Sequence, residues 1–230
     1  MRFLAPDSSV ATVTAPGAGL SPMGVEAATR ADFARVAEIA ARAPGPVSLV
    51  VDTEAGAVDL RLVAGSIAAV ALAALYGPLE AWRTGLDTEH ARLHELGATL
   101  AGALEAGSPI DRLVLALVGA GPGATPAGDD ILVGILAGLV VTGRTHLAGR
   151  LAAVVHPLAH RTTAVSRALL AAAADHEFAS YVHTLVHAAA DPRLVPTALS
   201  ELAAVGASSG FDTALAFCSA SVRPYRKSAA

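Results

Sequence analysis

Apolar residues recur at helical spacing through most of this chain. Leu93, Leu96, Leu100 and Leu104 fall three or four apart and share one face of a helix. Two longer apolar windows, residues 62–76 and 131–142, are nearly continuous. Each is shorter than the roughly 18 to 20 residues that span a bilayer, so both are expected as buried helices. Ser66 and Thr88 are suitable N-caps, and the turn segments Tyr76–Pro78 and Gly107–Ile110 punctuate the pattern.

The period changes near the start of the chain. Val58, Leu60 and Leu62 alternate with Asp59 and Arg61, so "PVSLVVDTEAGAVDLRLV" reads as two strands around a turn at Thr53 to Gly56. Ahead of it, Thr29 and Asp32 resemble a capping box leading into a stripe of Phe33, Val36, Ala37 and Ala40. The expected class is therefore α+β. Residues 1–64 form a small N-terminal sheet with a helix, and residues 65–230 a larger, mainly helical part carrying glycine-rich ligand loops. The two parts are compatible with one compact unit, and no solenoid-type repeat is visible.

Composition narrows the chemistry. With 53% hydrophobic and 16% charged residues in 230, the chain can bury a sizeable core, which Ala, Leu and Val dominate over the 4% of aromatic residues. Cys218 is the single cysteine, which excludes intrachain disulfides and thiolate metal clusters. The single lysine, Lys227, lies among the last four residues and argues against Schiff-base or P-loop lysine chemistry. A net charge of −4 gives no general reason to expect nucleic acid, and no segment indicates a membrane role. Asp7 follows Arg2 before any signal-length apolar stretch, so a cytoplasmic location is expected. Between Asp130 and Asp175 there is no acid at all, while Arg144, Arg150, Arg161, Arg167, His146, His156 and His160 all occur there. Such a block suits either an anionic ligand or a basic face answered by acids from elsewhere.

The break in the apolar text at "GAGPGATPAGDD", residues 119–130, calls for a ligand loop. Gly123 and Gly128 have the spacing of a Walker loop, but Asp129 stands where the lysine belongs. Gly119, Gly121 and Ala124 fit a relaxed dinucleotide pattern, yet the acid expected about 20 residues on is missing. What remains is a loop whose glycines permit positive φ and whose Thr125-Pro126 pair suits an N-cap and first helical residue. Free amides at such an end bind phosphate or carboxylate. Asp129 and Asp130 then complement the helix dipole, act as general base or ligate a cation. A short echo, "SGFDTALA" at 209–216 against "AGDDILVG" at 127–134, suggests a second loop lining the same site. Three histidine pairs at i,i+4 occur: His90 with His94, His156 with His160, and His183 with His187. The first flanks the leucine stripe, Pro157 interrupts the second, and the third lies opposite its apolar stripe on the expected solvent side.

Three segments, "GAGPGATPAGDDILVGILAGL", "RTTAVSRALL" and "VGASSGFDTALA", resemble the signature segments of the AllH-type subunit family of oxamate carbamoyltransferase. The resemblance runs from about residue 110 to 218. It implies carbamoyl transfer between oxamate and carbamoyl phosphate, in an activity assigned to several different subunits together. The chain departs from the family pattern at Ala124, at Ala127, where a serine is common, and at Ala216.

On this reading a small anionic substrate is held by the loop of Gly119, Gly121, Gly123, Thr125 and Gly128, with Arg161 or Arg167 neutralising it. Thr162, Thr163, Ser166, Ser208, Ser209 and Gly210 add neutral contacts, or their hydroxyls cap helices instead. Asp129 or Asp130 is the expected base with Asp212 as partner, or the three carboxylates hold Mg²⁺. No other cofactor is expected, and partner subunits are. Two alternatives stand beside it: a non-catalytic subunit that binds a carboxylate or organises its partners, and a kinase-like phosphotransferase using the aspartates for Mg²⁺.

Overall fold

The computed structural model describes residues 2–4, 10–14, 22–27, 30–42, 60–65, 85–189, 191 and 193–222. The expected α+β class is corrected by it: the described residues are mainly helical. Three short extended stretches, β1 (Arg2–Leu4), β2 (Val10–Thr14) and β3 (Gly24–Glu26), pair in that order, but they are too small to form a layer of the fold. Helix α1 (Arg30–Arg42) follows, with Phe33, Val36 and Ala37 half-buried as the stripe requires. The expected hairpin turn at Thr53 to Gly56, with Thr29, Ser66 and Tyr76–Pro78, lies outside the described residues.

The alternation around Leu60 and Leu62 has a different use. Phe178 donates its amide to the Leu60 carbonyl at 2.9 Å, and Leu62 donates to the His176 carbonyl at 2.9 Å. Residues 60–62 are thus a strap laid along a turn of the helical body, with Leu62 buried and the Arg61 and Glu177 side chains paired outside. Gly65 donates onward to the Val140 carbonyl at 3.1 Å.

The helical body comprises α2 (Thr88–Glu105), α3 (Asp111–Leu117), α4 (Ala127–Val141), α5 (Thr145–Val155), a 3₁₀ turn (His156–Arg161), α6 (Ala164–Ala174), α7 (Ser180–Ala188), α8 (Val195–Ala203) and α9 (Ser209–Val222). Asp87, rather than Thr88, caps α2. Helix α4 is the centre: every residue in it except Val133 is buried. Burying Ile131, Leu132, Ile135, Leu136 and Leu139 contributes about 1.5–3 kcal/mol each, which outweighs the roughly 1 kcal/mol that a mid-helix glycine costs.

Those glycines set the packing. A Cβ on Gly134 would lie 2.3 Å from the Thr213 carbonyl oxygen, and one on Gly138 would lie 2.7 Å from that of Phe217. Contacts advancing four residues on both helices mean that α4 and α9 run parallel with touching backbones. Helix α2 joins them in the same sense: Gly97 sits against Ile131, and His94 meets Asp212. Three parallel helices align their dipoles, so each end gathers like partial charge. Asp87, Asp129, Asp130 and Asp212 answer it at the N-terminal ends. At the other ends the buried Arg144 side chain bonds Glu105, the Ala220 carbonyl and Thr142.

Candidate functional site at the joined helix ends

Two loops enter these N-terminal ends by the same route. Each follows a short helix, and its glycine crosses that helix's last carbonyls: a Cβ on Gly128 would lie 2.1 Å from the Leu117 oxygen, and one on Gly210 would lie 1.6 Å from the Leu202 oxygen. The Gly128 amide donates to Ala120 at 2.9 Å, and that of Gly210 to Val205 at 3.0 Å. The sequence echo is therefore a repeated way of turning a helix back at backbone contact. The first loop is longer by the run that contains Gly121 and Gly123.

Gly119, Gly121 and Gly123 have φ of 73°, 107° and 95°, in the left-handed region that a side chain disfavours. Pro122, Gly123 and Ala124 are exposed. No hydrogen bond among the described residues engages the amides of Gly121, Gly123, Ala124 or Thr125. Thr125 does not cap α4. Its hydroxyl lies 2.6 Å from that of Ser209, at the start of α9, so the two loops meet.

Asp129 is 1% exposed, and both of its oxygens are used. One accepts the Gly119 amide at 2.9 Å and the other accepts the Thr162 hydroxyl. Burial pushes its carboxyl above the ordinary carboxylate value, against the pull of those two bonds. This is a lock between the glycine loop and the 161–163 segment. Thr163 caps α6 by accepting the Ser166 amide at 3.1 Å, and its hydroxyl donates to the Ala124 carbonyl at 2.6 Å. Ser166 is buried in the first turn of α6, whereas Arg161 and Arg167 are exposed. Ser208 accepts the Asp212 amide on its carbonyl.

Asp130 and Asp212 occupy equivalent places in the first turns of α4 and α9, and both are buried. The partners of Asp212 were not foreseen. His94 Nε2 lies 2.8 Å from Asp212 Oδ1, and His90 Nε2 lies 3.8 Å from Oδ2. His90 Nδ1 in turn meets Asp87 Oδ2 at 2.9 Å. The signal present in the chain was His90 and His94 at i,i+4 with Asp87 one turn earlier, on the edge of the leucine stripe rather than opposite it. His183, expected toward solvent, is half-buried and meets the Leu60 carbonyl at 2.9 Å, while His187 is exposed.

The carboxylates do not converge on one point. Asp129 faces Gly119 and Thr162, while Asp212 faces the two imidazoles. Among the described residues no three His, Cys, Asp or Glu groups are arranged to hold a metal ion, and no helix is long and apolar enough to cross a membrane.

Comparison with known proteins picks out this part of the chain. Residues 117–221 match the family described as oxamate carbamoyltransferase subunit AllH. The match begins at the last residue of α3 and takes in both loops, the 161–163 segment and nearly all of α9. No solved structure matches the chain.

Proposed function

From the match of residues 117–221 to the family described as oxamate carbamoyltransferase subunit AllH, we propose that the chain works with partner subunits in carbamoyl transfer, supplying the small-anion site at the joined ends of α4 and α9. The observation that carries the proposal is the exposed loop with four unengaged amides, turned by the left-handed Gly119, Gly121 and Gly123 and fastened at both sides by Asp129 and by the Thr125–Ser209 contact. Amides fixed in this way meet a phosphate or carboxylate without reorganising. The Asp side chains nearby have already offset the helix dipoles, so an anion needs a further cation. Exposed Arg161 and Arg167, on the segment tied to the loop, are the candidates.

The carboxylate lock also favours a second reading, a non-catalytic subunit that binds a carboxylate or organises its partners, because both oxygens of Asp129 are taken up in holding the loop. Thermal shift of the purified chain with phosphate, carbamoyl phosphate or oxamate tests the site. A rise in midpoint for one of these anions, lost in Ser209→Ala and in Arg161→Ala, is expected. No shift with any of them leaves the organising role.

A further inference from the structure

Asp212 is fully buried, and its Oδ2 makes no hydrogen bond. A carboxylate in that position needs a compensating group, because unpaired burial of charge is costly. Two imidazoles face it. His94 occupies Oδ1, and its ring is held edge-on to Phe211 at 6.2 Å and 83°. His90 is held from the other side: Asp87 Oδ1 caps its amide at 2.9 Å and Oδ2 meets its Nδ1. A carboxylate at Nδ1 keeps the proton of the neutral ring there, so Nε2 presents a lone pair. That Nε2 is beyond hydrogen-bond distance of Asp212 Oδ2, at 3.8 Å, and the side chain is 24% exposed. Ser209, which meets the glycine loop through Thr125, lies one helical turn before Asp212.

We propose that His90 is the acid–base residue of this site, with Asp87 and Asp212 as its positioning residues and His94 as the clamp on Asp212. The inference rests on the carbamoyl-transfer reading. In the direction that consumes carbamoyl phosphate, the amide nitrogen of oxamate forms a bond to the carbamoyl carbon. The bond from that carbon to the phosphate oxygen breaks, and phosphate departs with the electron pair. His90 Nε2 takes the proton released by the nitrogen, Asp212 steadies the resulting imidazolium, and the proton passes to the departing phosphate. An amide nitrogen is a poor nucleophile until it loses that proton, so this step needs a base with an available lone pair.

The test uses the chain assembled with its partner subunits. His90→Gln is expected to lower kcat about 100-fold or more while KM for oxamate stays within about threefold. Asp87→Asn keeps an oxygen to cap the His90 amide and puts an NH2 donor in place of the acceptor at Nδ1, so it is expected to lower kcat about tenfold and leave assembly intact. A second readout is independent of turnover: nitrogen-15 imidazole correlations on the chain should show His90 with its proton on Nδ1, a preference lost in Asp87→Asn. Turnover by His90→Gln within threefold of wild type, a wild-type Nε2–H tautomer, or a stoichiometric metal ion lost in both His90→Gln and His94→Gln would each overturn the proposal. If the wild-type assembly transfers no carbamoyl group, the functional reading fails, and the tautomer still decides the Asp87–His90 pair.

Discussion

Gly134→Ala and Gly149→Ala are the same substitution with opposite expected signs. In both helices alanine gains about 1 kcal/mol of intrinsic propensity over glycine. At Gly149, exposed in α5, nothing lies within 4 Å of the added methyl, so the gain stands alone. At Gly134 the methyl carbon would lie 2.3 Å from the Thr213 oxygen, 2.9 Å from the Phe217 nitrogen and 2.9 Å from the Ala216 Cβ. Two of these are backbone atoms and the third is a Cβ fixed to the backbone, so no rotamer change relieves them and α9 must move away by about 1 Å. Overpacking of this kind costs about 3 kcal/mol, leaving a net loss of about 2 kcal/mol after the propensity gain. For a chain of this size that lowers Tm by about 4–8 °C, whereas Gly149→Ala raises it by about 2–4 °C. Calorimetry of the two variants beside wild type reads both. Equal shifts of the same sign would mean that α4 and α9 do not touch through their backbones, and the joined ends would lose their basis.

Three further outcomes follow from the same packing. Arg144→Met removes the cation shared by three helix C-terminal ends and strands the Ala220 carbonyl, so urea unfolding should show a loss of about 2–4 kcal/mol, while a loss below 0.5 would contradict the shared cap. Because burial pushes the Asp129 carboxyl above the ordinary carboxylate value, its protonated form favours folding: that contribution is whole below the unfolded value and lost as pH rises through the folded one. Wild type should therefore lose stability relative to Asp129→Asn as pH rises from about 4 to 7, and a gap that stays constant or moves the other way excludes a buried, strained carboxylate. Burial pushes the Cys218 thiol up, so it should resist a thiol reagent in the folded protein and react on unfolding; rapid native labelling would place it at the surface.

Much of the helical body was legible because its signals are local. The leucine stripe of α2 and the apolar run of α4 bury where their periods require. The glycine echo was legible because only glycine lets α4 and α9 start against another helix's carbonyls. At Leu60 to Leu62 the alternation reports one buried face and not what covers it: these residues bridge antiparallel to a helix-connecting turn at His176 to Phe178, and the expected hairpin turn lies outside the described residues. Thr88 yielded to Asp87 as cap within the usual one-residue uncertainty of helix ends. The pairing of His94 with Asp212, 118 residues apart, depends on α2 and α9 lying parallel, which no local pattern reports.

The central claim is that the loop at the joined helix ends serves carbamoyl transfer in an assembly. The most direct measurement is oxamate-dependent phosphate release from carbamoyl phosphate by the partner subunits with this chain omitted, with wild type, and with Gly121→Ala. Gly121 combines a φ of 107° with an added methyl 3.0 Å from the Ala127 nitrogen, so the substitution strains the loop where it enters α4 and turns its amides. Release is expected only when the chain is present, and at least about tenfold slower with Gly121→Ala in an assembly that still forms. Equal release with the chain omitted, or with Gly121→Ala in place of wild type, would contradict the account.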